Sequence, residues 1–311
     1  MSDGIERVHA ATDRLEKALS RVLIGQESVV EALVAVALAS GHALLEGVPG
    51  LGKTWLAQNF ARAAGLEYRR IQFTPDLMPA DVTGTQVIDT AGGGLHFRFQ
   101  KGPIFASLLL ADEINRATPK TQSSLLEAMQ EGGVTVAGER HELPRPFMVI
   151  ATQNPLEMEG TYPLPEAQLD RFLAKIEVGR PGPDTLRKVL EAGVIAPANE
   201  TLATGDLLDM REITRNVPVS SPVLDYITRL TEATHKHPSV RYGLSPRGAQ
   251  ALLALARAFA LMDARPFVSA DDVRKAAPLA AHHRLILNFE AELEGVSPAE
   301  VLKSTLESVK A

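Results

Sequence analysis

The residues of this chain whose types and spacing could do chemistry begin with one glycine-rich segment. It reads Gly47, Val48, Pro49, Gly50, Leu51, Gly52, Lys53 and Thr54, which fits the pattern G-x-x-x-x-G-K-[ST]. Glycines let consecutive backbone N–H groups curl around a phosphate, and a helix that starts there directs its positive end at the anion. Lys53 would add a charge to the phosphates, and Thr54 a hydroxyl ligand to Mg²⁺. The segment predicts a nucleotide-phosphate site, with a chance glycine-rich turn as the alternative.

Two neighbouring carboxylates form the second candidate group. Asp112 and Glu113 follow the apolar run 108–111, which is typical of a buried strand. Ligands of open α/β sheets bind at the carboxyl ends of the strands, so an acid there would face a bound nucleotide. We expect Asp112 to hold Mg²⁺ and Glu113 to polarise the attacking water. A solvated loop could carry the same pair, and the glycine-rich segment favours the catalytic interpretation.

Alternating strands and helices must position these groups. Apolar runs predict strands at 43–46, 68–72, 104–111, 147–151 and 173–178, with helices at 54–64 and 121–131 between them. This alternation is typical of a parallel sheet covered by helices, so the predicted fold class is α/β. Two amphipathic helices precede the first strand, with Ile24 and Gly25 between them.

Two segments interrupt the alternation and predict inserted β-hairpins. The first spans 82–101, with alternating stretches at 85–88 and 95–99 around Gly92, Gly93 and Gly94. The second has a strand at 133–136 and a polar turn at 138–141. Either hairpin could be a plain surface loop. We expect a functional role, because such hairpins are uncommon additions to a nucleotide-binding core.

Composition sets broad limits. The 311 residues, 45% of them hydrophobic, suffice for a sizeable core and two domains, and the helical pattern after 179–183 places the boundary between 1–178 and 179–311. A net charge of −6 offers no general attraction to nucleic acid or to an anionic membrane. Without cysteine, no disulfide can form. The N-terminus lacks a secretory signal and no apolar run approaches the ~20 residues of a membrane span, so we expect a cytoplasmic protein.

Taken in order, the motifs resemble those of the AAA+ ATPases, and among them the MoxR family. That family belongs to the branch with one hairpin inserted in helix 2 and another before sensor 1. The resemblance covers nearly the whole chain and rests on the motifs at 47–54, 110–117, 151–155, 164–172 and 243–247. The first motif is shared by all P-loop proteins, whereas the ordered set is far more specific. It implies a P-loop AAA+ core, with a parallel sheet and two inserted hairpins, and a C-terminal all-α lid domain.

The resemblance also implies roles for particular residues. Asn154 matches sensor 1, and its amide could orient water against the γ-phosphate; an Asn-Pro turn is the alternative. Arg171 matches an arginine finger that reaches the neighbouring subunit's site, although a lone surface arginine is usually solvated. Ile24 and Gly25 match the segment that packs on adenine, and an apolar turn would look the same.

Arg247 matches sensor 2. It lies in the first turn of a helix whose predicted N-cap is Ser245, which is a poor place for a cation unless an anion lies nearby. The sensor 2 interpretation supplies that anion as nucleotide phosphate.

The combined prediction is hydrolysis of ATP with Mg²⁺ by a homo-oligomeric ring, by resemblance a hexamer, coupled to chaperone-like remodelling or maturation of a partner protein. The family is often paired with von Willebrand factor A-domain proteins, which implies a client or adaptor of that kind. A nucleic-acid motor of the same branch is an alternative, but 139–141 is mixed in charge and the first hairpin's turn lacks a lysine or aromatic cluster. An ATP-binding scaffold with little turnover is another, against which Glu113, Asn154 and Arg171 argue. A single-subunit kinase or GTPase would need a guanine-reading motif or an acceptor lid, and we find neither.

Overall fold

The apolar runs form strands in the computed structural model, which describes residues 2–89, 96–155, 160–199, 201–203 and 205–310. The described strands are β1 (Ala43–Glu46), β2 (Tyr68–Gln72), β3 (Gly84–Asp89), β4 (His96–Lys101), β5 (Leu108–Asp112), β6 (Gly133–Val136), β7 (Glu139–Glu142), β8 (Met148–Gln153), β9 (Ala174–Glu177), β10 (Val240–Tyr242) and β11 (Ile286–Leu287). Five of them make one parallel sheet in the order β2-β5-β8-β1-β9. The central strands β5 and β8 are buried along almost their whole length, which explains why their sequences are continuously apolar.

Helices cover this sheet and build the C-terminal part. They are α1 (Ser2–Ser20), α2 (Glu27–Leu38), α3 (Lys53–Ala63), α4 (Pro79–Thr83), α5 (Pro119–Glu131), α6 (Glu166–Leu169), α7 (Pro183–Ala192), α8 (Asp206–Arg215), α9 (Ser221–Lys236), α10 (Pro246–Met262), α11 (Ala270–Ala281), α12 (Phe289–Leu293) and α13 (Pro298–Ser308). Among the described helices, none combines the length and the apolar character needed to cross a membrane.

The predicted strand at 104–111 was too long at its start. β5 begins at Leu108, and the preceding residues form a turn in which the Ile104 N–H donates to the carbonyl oxygen of Val82 at 3.2 Å. Ile104 and Phe105 are buried all the same, because the turn packs into the apolar cluster on one face of the sheet. These turn residues are apolar because they are buried, so the apolar run in the sequence is longer than the strand.

Both inserted hairpins are present. β3 pairs antiparallel with β4, and β6 with β7. The predicted polar turn at 138–141 was wrong in extent, because Glu139–Glu142 forms a strand and the turn consists of Ala137 and Gly138, both at positive φ. The glycine-rich turn of the first hairpin, with Gly92 to Gly94, lies outside the described residues. The hairpins touch where the ring of Phe99 stacks on His141 with centroids 3.9 Å apart.

The described residues of the C-terminal part form helices, as expected of the lid, together with one short strand pair that the sequence did not predict. β10 and β11 pair antiparallel across the lid. Arg284 fixes the lid to the segment before β9: its guanidinium donates to a carboxylate oxygen of Asp170 at 2.6 Å and to the carbonyl oxygen of Phe172 at 2.7 Å. One apolar cluster includes α1, α2, one face of the sheet and the lid helices, so the boundary at 178 stays a prediction.

A half-buried acid lies where α1 and α2 meet the lid helix α11. Glu16 has a buried carboxylate oxygen without a hydrogen-bond partner among the described residues. Glu31 beside it is already paired with Lys275 at 2.5 Å. Burial, and then the negative charge of Glu31, raise the pKa of Glu16 to about 7. Folding therefore favours protonated Glu16.

We predict that Glu16→Gln removes a pH-dependent loss of stability. Because the unfolded chain ionises Glu16 near its ordinary pKa of 4.5 and the folded chain near 7, the wild-type fold loses stability as pH rises between those values. Allowing for solvent screening of a half-exposed group, the variant should exceed wild type by about 1 to 2 kcal/mol at high pH. Urea unfolding at pH 4.5 and pH 8 checks this, and an equal difference at both pH values would contradict it.

Candidate functional site

The glycine-rich segment joins β1 to α3 in a conformation that depends on its glycines. Gly50 and Gly52 both have φ of +82°, in the left-handed region that side chains strain to adopt. A Cβ on Gly47 would lie 2.6 Å from the carbonyl oxygen of Val178. Lys53 is the first residue of α3, and its ammonium donates to carbonyl oxygens of the loop itself, those of Gly47 and Val48. The loop therefore wraps a positive charge, which fits a phosphate group.

Asp112 ends β5 as a buried carboxylate with hydroxyl partners on two sides. Thr152 of β8 donates to its Oδ1 at 2.6 Å, and Thr54 of α3 donates to its Oδ2 at 3.1 Å. The predicted pair of magnesium ligands, Thr54 and Asp112, is thus already in contact. Oxygen donors of this kind are what Mg²⁺ prefers, so these residues fit the ion that a nucleotide brings.

Glu113 follows in a strained backbone conformation. Its φ of 56° lies in the left-handed region, which costs a non-glycine residue about 1 to 3 kcal/mol. The Glu113 N–H donates to the hydroxyl of Thr152 at 2.8 Å, so the same hydroxyl that binds Asp112 also fixes this turn. Its carboxylate accepts hydrogen bonds from Gln72 at 2.7 Å and Arg116 at 3.0 Å. The turn places Glu113 on the wall of the cavity beside the loop.

The cavity beside the loop has a volume of about 430 Å³ and brings most of the predicted residues together. It is lined by Pro49, Gly50, Leu51, Gly52, Lys53, Thr54, Trp55, Arg70, Gln72, Asp112, Glu113, Thr152, Gln153 and Asn154. Asn154 follows the last residue of β8 and is only 5% exposed. A site with glycine-loop N–H groups, a lysine, two acids and an amide can bind a nucleoside triphosphate and orient a water molecule toward its terminal phosphate.

Three residues that sequence reasoning missed complete this site. Arg70 of β2 donates to Asp112 Oδ2 at 2.8 and 3.0 Å, and Gln72, two positions later on the same face, reaches Glu113. Thr152 joins both acids. The alternation of β2 places Arg70 and Gln72 on one face, but only the pairing of Gln72 with Asp112 in the sheet reveals what that face touches.

The segment expected to pack on adenine touches the loop through a different residue. Ile24 and Gly25 are not among the residues lining the cavity, whereas Leu23 Cδ1 lies 3.3 Å from where a Cβ of Gly52 would be. Gly25, at φ +74°, leaves no room for a side chain because a Cβ would meet Thr185 of α7. The segment therefore connects the phosphate loop to the start of the C-terminal part.

Arg171 and Arg247 lie at the other edge of the sheet. The Leu173 N–H donates to the carbonyl oxygen of His42, directly before β1, so the residues preceding β9 lie at the amino edge. The phosphate loop starts after the last residue of β1, roughly 13 Å away along a strand of four residues. Neither arginine lines the nucleotide cavity of its own chain.

Asp170 supplies the anion that Arg247 requires. Arg247 Nη1 lies 3.5 Å from an Asp170 carboxylate oxygen, and Asp170 also binds the lid residue Arg284. Within one chain, this carboxylate and not a nucleotide compensates Arg247 in the first turn of α10, where Ser245 accepts from the Gly248 N–H at 3.1 Å as predicted. The arginines of the predicted site are therefore close to each other and remote from the acids.

The fold and this site define a P-loop ATPase of the AAA class. Residues 42–174 match the ATPase family associated with various cellular activities, and residues 232–305 match the AAA lid domain. A crystal structure of a candidate ATPase from Cytophaga hutchinsonii superposes with a TM-score of 0.91 at 36% identity, over 99% of this chain and 97% of that one.

Relatives narrow the class to one family. Chaperone MoxR1 of Mycobacterium tuberculosis is 43% identical over 98% of this chain and 84% of its own length. The uncharacterised protein YeaC of Bacillus subtilis is 42% identical over 98% of this chain and 96% of its own, and protein MoxR of Paracoccus denitrificans is 31% identical over 96% of each. The chain belongs to the MoxR family of AAA+ ATPases and, like its family, binds and hydrolyses nucleotide.

We predict that Arg70→Gln lowers the Mg²⁺ requirement for nucleotide binding. Arg70 occupies Asp112 Oδ2, the oxygen that also faces Thr54, so a metal ion has to displace the guanidinium. For a charged hydrogen bond at a half-exposed arginine, the half-saturating Mg²⁺ concentration should fall about three- to tenfold. Binding of a fluorescent ADP analogue, titrated with Mg²⁺ and repeated in EDTA, measures this.

Arg69→Gln is the matched control, because the adjacent side chain points to the other face and pairs with Glu67 at 3.3 Å. It should leave the Mg²⁺ requirement unchanged. If Arg70→Gln instead raised the requirement, the guanidinium would be helping to hold phosphate, and competition would be wrong.

Proposed function

We propose that this ATPase forms a ring in which each catalytic site is shared by two subunits, and that it uses ATP hydrolysis to remodel a partner protein. The observation that supports the proposal is that the acids and the arginines of the predicted site lie at opposite edges of the sheet. The phosphate loop and the acids lie at the carboxyl edge of the sheet, and Arg171 and Arg247 lie at the amino edge. For the acids and the arginines to act on the same nucleotide, the amino edge of one copy of the chain must face the carboxyl edge of another.

Within one subunit, the residues divide the chemistry between them. Lys53 and the loop N–H groups bind the β- and γ-phosphates, and Thr54 and Asp112 supply oxygen ligands to the metal. Bound Mg²⁺ would polarise the phosphate oxygens and offset developing charge. Glu113 polarises the attacking water as general base, and Asn154, buried beside it, orients that water.

Across the interface, the arginines complete the site. Arg171 acts as the finger that stabilises charge on the transferred phosphoryl group. Arg247 acts beside it on the same neighbouring nucleotide, which follows from its place next to Asp170. A ring with one such interface per subunit would be heterologous and closed, and a hexamer fits the family. The arrangement makes turnover depend on assembly.

The first inserted hairpin suits contact with a protein client. Ile88 and Phe97 face each other across β3 and β4 and are 61% and 75% exposed. Two large apolar side chains at a mostly exposed cross-strand position are more typical of a protein-binding surface than of a solvated loop. The similarity to a protein named Chaperone MoxR1 supports a protein client, and the net charge of −6 argues against nucleic acid. A von Willebrand factor A-domain adaptor remains our proposal for that partner.

We predict that Lys53→Ala and Glu113→Gln separate binding from hydrolysis. Lys53→Ala removes the charge that binds the phosphates, so binding of a fluorescent ATP analogue should be lost. Glu113→Gln keeps the loop and the metal ligands, so it should bind ATP and release phosphate at least about a hundredfold more slowly. Undiminished phosphate release by Glu113→Gln would remove this residue as the base.

We predict that mixing two inactive variants restores turnover. Arg171→Ala should lower the rate by about 10³ to 10⁵, as arginine fingers do. In an equimolar mixture with Glu113→Gln, about a quarter of the interfaces of a randomly assembled ring pair intact Arg171 with intact Glu113. Phosphate release should recover in proportion. Mixed oligomers, verified with two affinity tags, that stay inactive would contradict action of Arg171 on a neighbour.

A further inference from the structure

A second charged cavity lies outside the nucleotide site, between the end of α2 and the lid helices α8 and α10. Its volume is about 270 Å³, and three arginines line it: Arg211 and Arg215 from α8 and Arg257 from α10. Ser40, which follows α2, lies on its wall. Among the described residues, no aspartate or glutamate lines this arginine cavity. Three positive charges therefore converge without a carboxylate.

Arg211 is only partly satisfied. Its Nε donates to the carbonyl oxygen of Ala37 at 2.8 Å, near the end of α2. Its Nη2 is buried, and no described residue accepts a hydrogen bond from it. Burial lowers the pKa of Arg211 to about 10, the direction expected of a charge that lacks an anionic partner. A buried donor without an acceptor is costly, which indicates that something else satisfies it.

Arg257 repeats the pattern from the opposite wall. Its Nε is buried and finds no acceptor in the described part of the chain. Burial, and then the charge of Arg215, lower the pKa of Arg257. His42, the buried histidine near Arg211, adds no charge because burial lowers its pKa to about 4. The cavity is thus lined by two arginines that each carry a buried donor without a described acceptor, and by a third positive charge on Arg215.

The nearby helix terminus does not repel an anion as strongly as a bare one would. The C-terminal carbonyl groups of α2 carry a partial negative charge. However, that of Ala37 already accepts from the Ser40 N–H and from Arg211, and those of Ala35 and Val36 accept from Ala39 and Gly41. These oxygens are therefore already engaged in hydrogen bonds, and Arg211 and Arg257 line the cavity beside them.

We propose that the arginine cavity binds a small tetrahedral oxyanion, either free phosphate or the terminal phosphate of a small phosphorylated compound. The planar guanidinium fork binds phosphate oxygens in pairs, and a doubly charged phosphate offers enough acceptors for three arginines. The bound anion links the end of α2, which leads into β1, to α8 and α10 of the lid. It therefore stabilises the docking of the lid on the ATPase core.

The test uses the full chain saturated with Mg²⁺ and a non-hydrolysable ATP analogue, whose terminal phosphate fills the γ-phosphate position, so that added phosphate cannot report on the nucleotide site. Inorganic phosphate is titrated at constant ionic strength, with calorimetry for the affinity and thermal unfolding for the Tm. We expect saturable binding of one phosphate per chain and a rise in Tm that sodium chloride does not reproduce. Glucose 6-phosphate as a parallel arm distinguishes a phosphorylated compound from free phosphate by its relative affinity.

Arg257→Gln and Arg215→Gln should each weaken phosphate binding at least about tenfold. Arg215 is exposed, so its variant should fold normally and keeps the test valid if Arg257→Gln does not. Arg229→Gln, an exposed arginine of α9 that bonds the Lys310 carbonyl group, is the control and should bind phosphate like wild type.

Three results would overturn the proposal. One is the absence of saturable phosphate binding. Another is equal affinity in wild type and the Arg215 and Arg257 variants. The third is a Tm rise that chloride reproduces at equal ionic strength, which would mean that salt merely screens the repulsion between arginines.

Discussion

The buried carboxylate of Asp112 is the point on which the nucleotide site depends. A charge in that position needs partners, and each comes from a different element: Thr152 from β8, Arg70 from β2 and Thr54 from the start of α3. The strand order β2-β5-β8-β1 makes this possible, because β5 lies between the two strands that supply the hydrogen-bond donors. Thr152 also accepts a hydrogen bond from the N–H of the strained Glu113, so one hydroxyl group positions both the proposed metal ligand and the proposed base.

A second aspartate organises the opposite edge. Asp170 binds Arg284, which anchors the lid, and lies next to Arg247, whereas Arg171 follows it in the chain. The lid thus docks on the edge that carries the proposed trans-acting arginines, and movement of the lid would move Arg247 relative to Arg171. A ring would couple nucleotide binding at the carboxyl edge of the sheet to the position of the lid at the amino edge. The arginine cavity lies between α2 and the lid helices α8 and α10, so an anion bound there would also affect how the lid docks on the core.

Features that depend on residues adjacent in the sequence could be predicted, whereas features that depend on contacts between distant residues could not. The phosphate loop, the acid pair and the bounds of β1 and β2 follow from neighbouring residues, and the structure contains each where it was predicted. Arg70, Gln72 and Thr152 depend on which strands are neighbours, which no single strand encodes. The same reason hid Asp170 as the partner of Arg247, because that contact joins residues from the core and the lid. Apolar turn residues such as Ile104 were misassigned because burial alone does not distinguish a turn from a strand.

The most direct test of a shared site is the structure of the assembled Glu113→Gln protein with Mg·ATP, determined by cryo-electron microscopy. The structure would give the distance from the Arg171 guanidinium to the nearest γ-phosphate oxygen. It would also show which chain binds that nucleotide. We expect hydrogen-bond distance, about 3 Å, to the nucleotide of the neighbouring subunit. An assembly in which Arg171 contacts no nucleotide, or only that of its own chain, would contradict the shared site.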